Sequence, residues 1–402
     1  MSKASNLSTF AQNATSKAEV IEFSMIELTS SRPCILDGFC TEQAHAICET
    51  KLISDCEECS KAREITFVIG ICTLGLSILV GNALIIAVGC QRVRSGIAQK
   101  IDIIKISLAL ADILTGVQIF VFVLPNFIMA MGTTLGEYEK QQHIKTVYIA
   151  TGSVIMIFCI TSSLFHLILL GLQRFYAMQL PFRYRTQSKR QVVVGLIVIW
   201  ILAFLYAMAP VFFSSRYGYH LAAFMYIPVG RSLGAALGLW CSVIIFPFFL
   251  MVLLSIMTTI AAWWKFRRLR KLPDNDAAKC QQLQQTKREL HVFKMVAIMQ
   301  CGVVVTIGPA VIMLLLLLVR TSPYRCDVFL TLMAGFIYFS LSNSLVNVLV
   351  YSVRDKGFRQ SVLSLLKSSG TSSSRILKTT FLRVARFHQD FFHKSTPDSQ
   401  RS

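Results

Sequence analysis

Long, nearly uninterrupted apolar stretches separated by short polar segments dominate the chain. Crossing a hydrocarbon core of about 30 Å takes roughly 20 helical residues. Seven stretches are long enough: Ile65 to Cys90, Ile103 to Met131, Val147 to Gly171, Val192 to Phe213, Leu233 to Trp264, Val292 to Val319 and Val328 to Tyr351. A spanning segment must satisfy its backbone polar groups internally, so the pattern predicts an all-α membrane protein, a seven-transmembrane helix bundle over residues 65–352. After the seventh stretch, Phe358, Val362, Leu365 and Leu366 with Arg359 and Lys367 predict a short amphipathic eighth helix, 353–367, lying on the membrane surface. The Ser-rich run from Ser368 to Ser374 opens a low-complexity tail, 368–402, predicted to be disordered. Residues 1–64 contain no apolar run of the signal-peptide kind, so the first span is expected to act as its own signal-anchor.

Composition agrees with a membrane protein. Of 402 residues 54% are hydrophobic and 15% charged, against about 25% charged in a soluble domain. The net charge of +19 would point to nucleic acid in a soluble protein, but 28 of the 40 basic residues lie in Arg92 to Lys105, Arg174 to Arg190, Lys265 to Lys294 and Arg354 onward. These are alternate loops and the tail. By the positive-inside rule they are cytosolic and the N-terminus is extracellular, which predicts a multi-pass plasma-membrane protein, drawn also to anionic inner-leaflet lipid, with no nucleic-acid partner. Asn6 and Asn13 begin glycosylation sequons in the outer segment. Five cysteines, Cys34, Cys40, Cys48, Cys56 and Cys59, lie there too; they read as disulfide partners, because no second pair or nearby His completes a metal site around Cys56 and Cys59.

Polar residues inside the spans are few, and an ionisable one is costly in lipid and usually functional. Asp112 is the acid deepest within a span, Asn82 lies in the first, and Asn343, Asn347 and Tyr351 recur every four residues on one face of the seventh. Interhelical hydrogen bonding that merely holds the bundle together is the plain alternative. From Val147, Arg174 lies roughly 40 Å along a helix, and Glu289 lies roughly 30 Å before Pro309, so both are expected at the cytosolic mouth.

Taken in order, several motifs resemble the rhodopsin-like (class A) G-protein-coupled receptors, over roughly residues 64–367. Gly81-Asn82 and Leu108 to Asp112 look like the family's first and second helix signatures, and Trp200 with Pro210 the fourth. Gln173-Arg174-Phe175, with the loop through Pro181-Phe182-Arg183-Tyr184, resembles the DRY region. Pro247 and Pro309 match the prolines of the fifth and sixth helices, Asn347 to Tyr351 is similar to NPxxY, and Gly357-Phe358-Arg359 opens the family's eighth helix. By this resemblance the chain would be a divergent member. Gln173 replaces the acid before Arg174, Val348 the NPxxY proline, and Thr306 to Pro309 lacks the tryptophan of CWxP. The usual disulfide from the third helix cannot form, because no cysteine stands at its outer end or in the loop from Ser214 to Gly230.

The resemblance implies a receptor that transduces an extracellular ligand signal to heterotrimeric G proteins by conformational change, is not an enzyme, and meets arrestin and a receptor kinase. In its switch, Arg174 pairs with Glu289, Phe182 docks the G protein, and Asn347 and Tyr351 belong to the moving seventh helix. Asp112, Ser163, Asn343, Ser344 and Asn347 stand where the family binds a modulatory sodium ion; no other metal or cofactor is implied, and retinal is excluded because the seventh span has no lysine. Ligand contacts fall on Tyr148, Thr151, Met156, Ile160, Trp240, Leu314 and Ile337. Such an apolar set favours a neutral or apolar small molecule, with a peptide held by residues 1–64 as the alternative. Two other functions stay open: a seven-span transporter or channel, and a receptor-like protein with weak signalling.

One disulfide expectation also follows the resemblance. The family's first and seventh helices are neighbours, so Cys326, in the outer loop before the seventh span, is expected to pair with Cys56 or Cys59; the alternative is a free thiol. Peptide mapping of surface-expressed protein under non-reducing conditions should recover Cys326 linked to an N-terminal peptide. Recovery of Cys326 as an alkylated thiol would refute the pairing.

Overall fold

The computed structural model describes residues 61–97, 99–132, 146–213, 217–220, 225–228, 233–270, 277–319 and 335–368. Seven helices among them are long and apolar enough to cross a membrane: Ile65–Arg94, Lys100–Ile128, Thr151–Gln179, Lys189–Ala209, Ile244–Lys265, Phe293–Leu316 and Gly335–Arg354. They are the seven spans expected. The helices overrun the apolar stretches where basic residues reach the interface; the third runs Thr146–Gln179, the fifth Leu233–Arg270 and the sixth Ala277–Val319. A short helix, Pro181–Thr186, follows the third span, and the amphipathic helix after the seventh is Lys356–Ser368. Among the described residues the one departure from an all-helical chain is a hairpin between the fourth and fifth spans, where Tyr217–His220 pairs antiparallel with Met225–Pro228.

Each span packs on its neighbours in sequence, and the seventh closes the ring against the first. The third contacts the second, fourth, fifth and sixth; the buried share of its apolar stretch is 72%, against 28% for the fourth, so the third is the central post and the fourth peripheral. One apolar cluster joins Ile104 and Leu108, Leu164 and Leu167, Met251, Met299 and Val303. Outward positions such as Ile201, Leu205, Phe249 and Leu253 are exposed apolar side chains, as a lipid-solvated surface requires.

Local sequence explains the bends and ends. The first helix stops at Gly96, whose φ of 73° is left-handed; Gly96 donates to the Val93 carbonyl and Ile97 to that of Arg92, a glycine-terminated helix end. In the second span, Pro125 has no N–H to give, and the helix widens into a π turn over Ile119–Val123. The Tyr148 hydroxyl donates to the Val121 carbonyl, the acceptor that Pro125 leaves unserved. The seventh span breaks at Ser342, between residues 335–341 and the helix Asn343–Arg354. Ser340 and Ser342 each turn a hydroxyl back onto a main-chain carbonyl, of Ile337 and Phe339, at 2.6 Å; serine back-bonding of this kind bends helices. Val348 passes through an unbroken helix, so the bend sits ahead of Asn343 and not at the former proline position.

Close approach of the seventh helix depends on two glycines. A Cβ at Gly302 would lie 2.4 Å from Val346 Cγ1, and one at Gly81 would lie 2.6 Å from Val348 Cγ1. Both neighbours are β-branched and stiff at χ1, so the seventh helix would have to retreat. Gly302→Ala and Gly81→Ala should each lower stability by about 1–3 kcal/mol, read as a fall in the thermal midpoint of purified protein in detergent. Gly70→Ala and Gly195→Ala, where nothing lies within 4 Å, should leave the midpoint unchanged or slightly raised.

Candidate functional site

Three polar assemblies run through the bundle's interior and down to one end of it. The deepest is centred on Asp112, which has no solvent exposure. Asn347 Nδ2 donates to Asp112 Oδ2 at 2.7 Å, and the Ser163 hydroxyl approaches Oδ1 at 3.5 Å. The Ser344 hydroxyl is a third partner of the carboxyl. Asn343 Nδ2 donates to Ser163 Oγ at 3.1 Å, and Asn82 Nδ2 donates to the Ser344 carbonyl at 3.2 Å. All five residues expected to form the polar centre therefore meet, and Asn82 joins them. Asn343, Ser344 and Asn347 are all buried on the helix that begins after Ser342. The side-chain oxygens of Asn343 and Asn347 are buried and receive no hydrogen bond. With the Asp112 carboxylate and the Ser163 hydroxyl they form an all-oxygen donor set, the kind hard cations prefer. The bond from Asn347 to Asp112 also fits the competing arrangement, an amide-paired carboxyl without an ion.

A second assembly links the second, third and fourth spans. His166 is fully buried; its Nδ1 lies 2.7 Å from the Ser162 carbonyl and its Nε2 lies 2.8 Å from Ser107 Oγ. A carbonyl can only accept, so Nδ1 carries the proton, and in the neutral ring Nε2 accepts from Ser107. Trp200 Nε1 donates to the same Ser107 oxygen at 2.9 Å and meets the imidazole edge-on. His166 is thus packed in the core with both ring nitrogens hydrogen-bonded.

The third assembly lies where the seventh span meets the terminal helix. Asp355 receives Lys105 Nζ at 3.0 Å and approaches Arg92 at 4.0 Å, while Arg92 pairs with Asp102 at 3.2 Å. Asp355 also caps the terminal helix by accepting the Phe358 N–H at 2.9 Å. Lys105 Nζ stands 4.6 Å from the centre of the Tyr351 ring, a cation–π contact, and the ring is buried. Burial alone would raise the Asp355 carboxyl; the Lys105 ammonium, the Phe358 N–H and the Arg92 guanidinium outweigh it and hold the group below the ordinary carboxylate range.

Arg174 is 4% exposed at the same end of the third span. Its Nη2 lies 3.5 Å from the Tyr184 hydroxyl, and Lys100 Nζ donates to the Tyr184 carbonyl at 2.6 Å. Tyr184 is the loop aromatic that packs inward, whereas Phe182 is 81% exposed and covers no neighbouring helix. Glu289 lies in the sixth helix, but its side chain, like that of Trp240, is outside the described residues. So are Cys56, Cys59, Cys326, Asn6 and Asn13.

The expected ligand residues divide. Met156 is buried in the main apolar cluster, and Ile160, Leu314 and Ile337 pack against it. Tyr148 is half-buried, its hydroxyl engaged by Val121. Thr151 is exposed and bonds back to the Val147 carbonyl at 2.7 Å, so it does not join the others. Sequence reasoning missed Tyr184, Lys105, Asp355, Arg92 and Asp102. The four charged residues showed only as charges beside span ends, which topology alone already explained, and Tyr184 only as part of the loop motif after Arg174. Among the described residues, no group of three or more His, Cys, Asp or Glu side chains could hold a metal ion.

The family model described as 7 transmembrane receptor (rhodopsin family) matches residues 81–351. The crystal structure of squid rhodopsin superposes with a TM-score of 0.61 at 13% identity, covering 82% of this chain and 93% of that one. No curated protein sequence matches.

The Asp355 cluster gives a pH prediction. A carboxyl whose folded pKa is depressed contributes stability that is present above its unfolded pKa of about 3.9 and is lost as pH falls through the folded value. The thermal midpoint of purified protein should therefore gain a downward limb below roughly pH 4. Asp355→Asn should lower the midpoint at pH 7, by about 1 kcal/mol in stability, and flatten that limb; an unchanged acid limb would contradict the assignment.

Proposed function

The chain belongs to the rhodopsin family of seven-transmembrane receptors, and from that premise we propose that it passes an extracellular ligand signal to a heterotrimeric G protein by conformational change. The family is one of receptors, and the protein is a multi-pass membrane protein. The observation that carries the finer reading is the buried Arg174 with its Tyr184 partner, at the end of the bundle where the Tyr351 and Asp355 contacts also gather. A two-state bundle needs groups there that can be exchanged when helices move. Pro247 and Pro309, inside the fifth and sixth helices, each remove one backbone bond and allow those helices to bend. Outward motion would uncover Arg174, with Phe182 already exposed beside it for a partner.

The distribution of 28 of 40 basic residues supports a plasma-membrane receptor with the N-terminus outside and the tail in the cytosol. The Ser-rich tail would serve a receptor kinase and arrestin. The apolar set around Met156, Ile160, Leu314 and Ile337 favours a neutral or apolar ligand, a lipid-like small molecule before a peptide. Asp112, Ser163, Asn343 and Asn347 would hold a sodium ion, which would offset the burial of the carboxylate. Weak signalling is the second reading, and one observation favours it: Gln173 is buried with Oε1 receiving no hydrogen bond, where the family has an acid beside the arginine.

The test is G-protein activation in cells at matched surface expression. Arg174→Ala should abolish basal coupling. Glu289→Ala, removing a restraint of about 1 kcal/mol, should raise it roughly fivefold; an unchanged or lower signal would refute the Arg174 to Glu289 restraint.

Sodium gives a separate measurement. Ligand affinity should respond to sodium in the natural chain and not in Asp112→Asn. A response that persists in the variant, or that is absent from both, would sink the sodium assignment.

A further inference from the structure

Between the third and fifth spans, at the end that carries Arg174, lies a cleft of about 670 Å³. Phe175, Met178, Ile260 and Trp264 give it apolar walls, and Lys265 and Arg268 stand at its rim. Ile260 and Trp264 are 51% and 53% exposed on the outer surface of the bundle, so the cleft opens sideways toward lipid. Trp263 and Trp264 meet edge-on at 5.4 Å, and the Arg267 guanidinium lies 5.0 Å over the Trp263 ring. Tryptophans of this kind settle at headgroup level, which sets the depth of the cleft. From Trp263 to Lys271 the sequence holds five basic residues and no acid. An occupant must therefore present an apolar chain at the walls and a negative charge at the rim, and it must arrive from the bilayer.

We propose that this cleft binds an anionic phospholipid of the inner leaflet, its acyl chain against Met178, Ile260 and Trp264 and its phosphate at Lys265 and Arg268. The volume falls within the usual range of small-molecule sites, about 300–1,000 Å³. The proposal rests on the cytosolic orientation given above and not on G-protein coupling, so a chain that failed to couple would leave it standing. A lipid seated there would brace the cytosolic ends of the third and fifth spans against each other, on either side of the part of the bundle that holds Arg174.

The test uses tryptophan fluorescence of the full chain in phosphatidylcholine vesicles, with bromine on the acyl chains of either phosphatidylcholine or a phosphatidylserine fraction. Brominated phosphatidylserine should quench more strongly at equal mole fraction. Lys265→Gln with Arg268→Gln should weaken that preference about tenfold. Lys189→Gln with Arg190→Gln, which removes the same charge from exposed positions at the start of the fourth span, should leave it intact. Equal quenching by both lipids, or equal loss in both double variants, would overturn the proposal in favour of general surface attraction. Displacement by soluble glycerophosphoserine would overturn it in favour of a free anion. Retained lipid preference with lost G-protein activation in the Lys265 and Arg268 variant would make the rim a protein-docking surface and overturn it as well.

Discussion

A single buried carboxyl organises this bundle. Asp112 has no solvent exposure, and a carboxyl in so apolar a place must find hydrogen bonds or a cation. Its partners come from the third span through Ser163 and from the seventh through Ser344 and Asn347. Asn82 brings in the first span by bonding to the Ser344 carbonyl. Four of the seven helices are thereby held by one polar requirement. The glycines at Gly81 and Gly302 let the seventh helix approach closely enough to meet that requirement.

The same helix carries the requirement to the membrane surface. Asn343, Asn347 and Tyr351 share a face, and the next residue past the helix end, Asp355, ties Lys105 and Arg92 to the cap of the terminal helix. Lys105 lies over the Tyr351 ring, so a cation holds the last member of the face in place. Movement of the seventh helix would disturb Asp112 at one end and this charge cluster at the other. A bend at Ser342, made by serine hydroxyls turned onto the backbone, gives the helix a place at which to move.

Much of this was legible in the sequence, for physical reasons. Membrane spans are long and their apolar signal is strong, so all seven were visible, and the four-residue spacing of Asn343, Asn347 and Tyr351 revealed their shared face. Asp112 stood out as the acid deepest within a span and motif resemblance added Ser163 and Ser344; the fold brings these together with Asn343 and Asn347. The bend at Ser342 was not legible, because serines in a membrane helix leave no break in hydropathy. Lys105 and Asp355 were hidden differently: charges at span ends follow from topology, and only the fold shows that two of them, 250 residues apart, touch. In the loop after Arg174, sequence singled out Phe182 as the residue to meet a partner, and it is exposed; Tyr184, beside the arginine, carried no signal that separated it from the rest of the loop.

The contact between Asp112 and Asn347 tests the account most directly, through an exchange of the two residues. Asp112→Asn and Asn347→Asp should each lower the thermal midpoint of the purified protein, the first by replacing one of the two accepting carboxyl oxygens with a donor amide and the second by setting two carboxyls side by side. The double variant restores one carboxyl and one amide and should recover most of the midpoint, because the pair and not either position is what the helices share. A double variant no more stable than the worse single variant would contradict the claim that this contact organises the bundle.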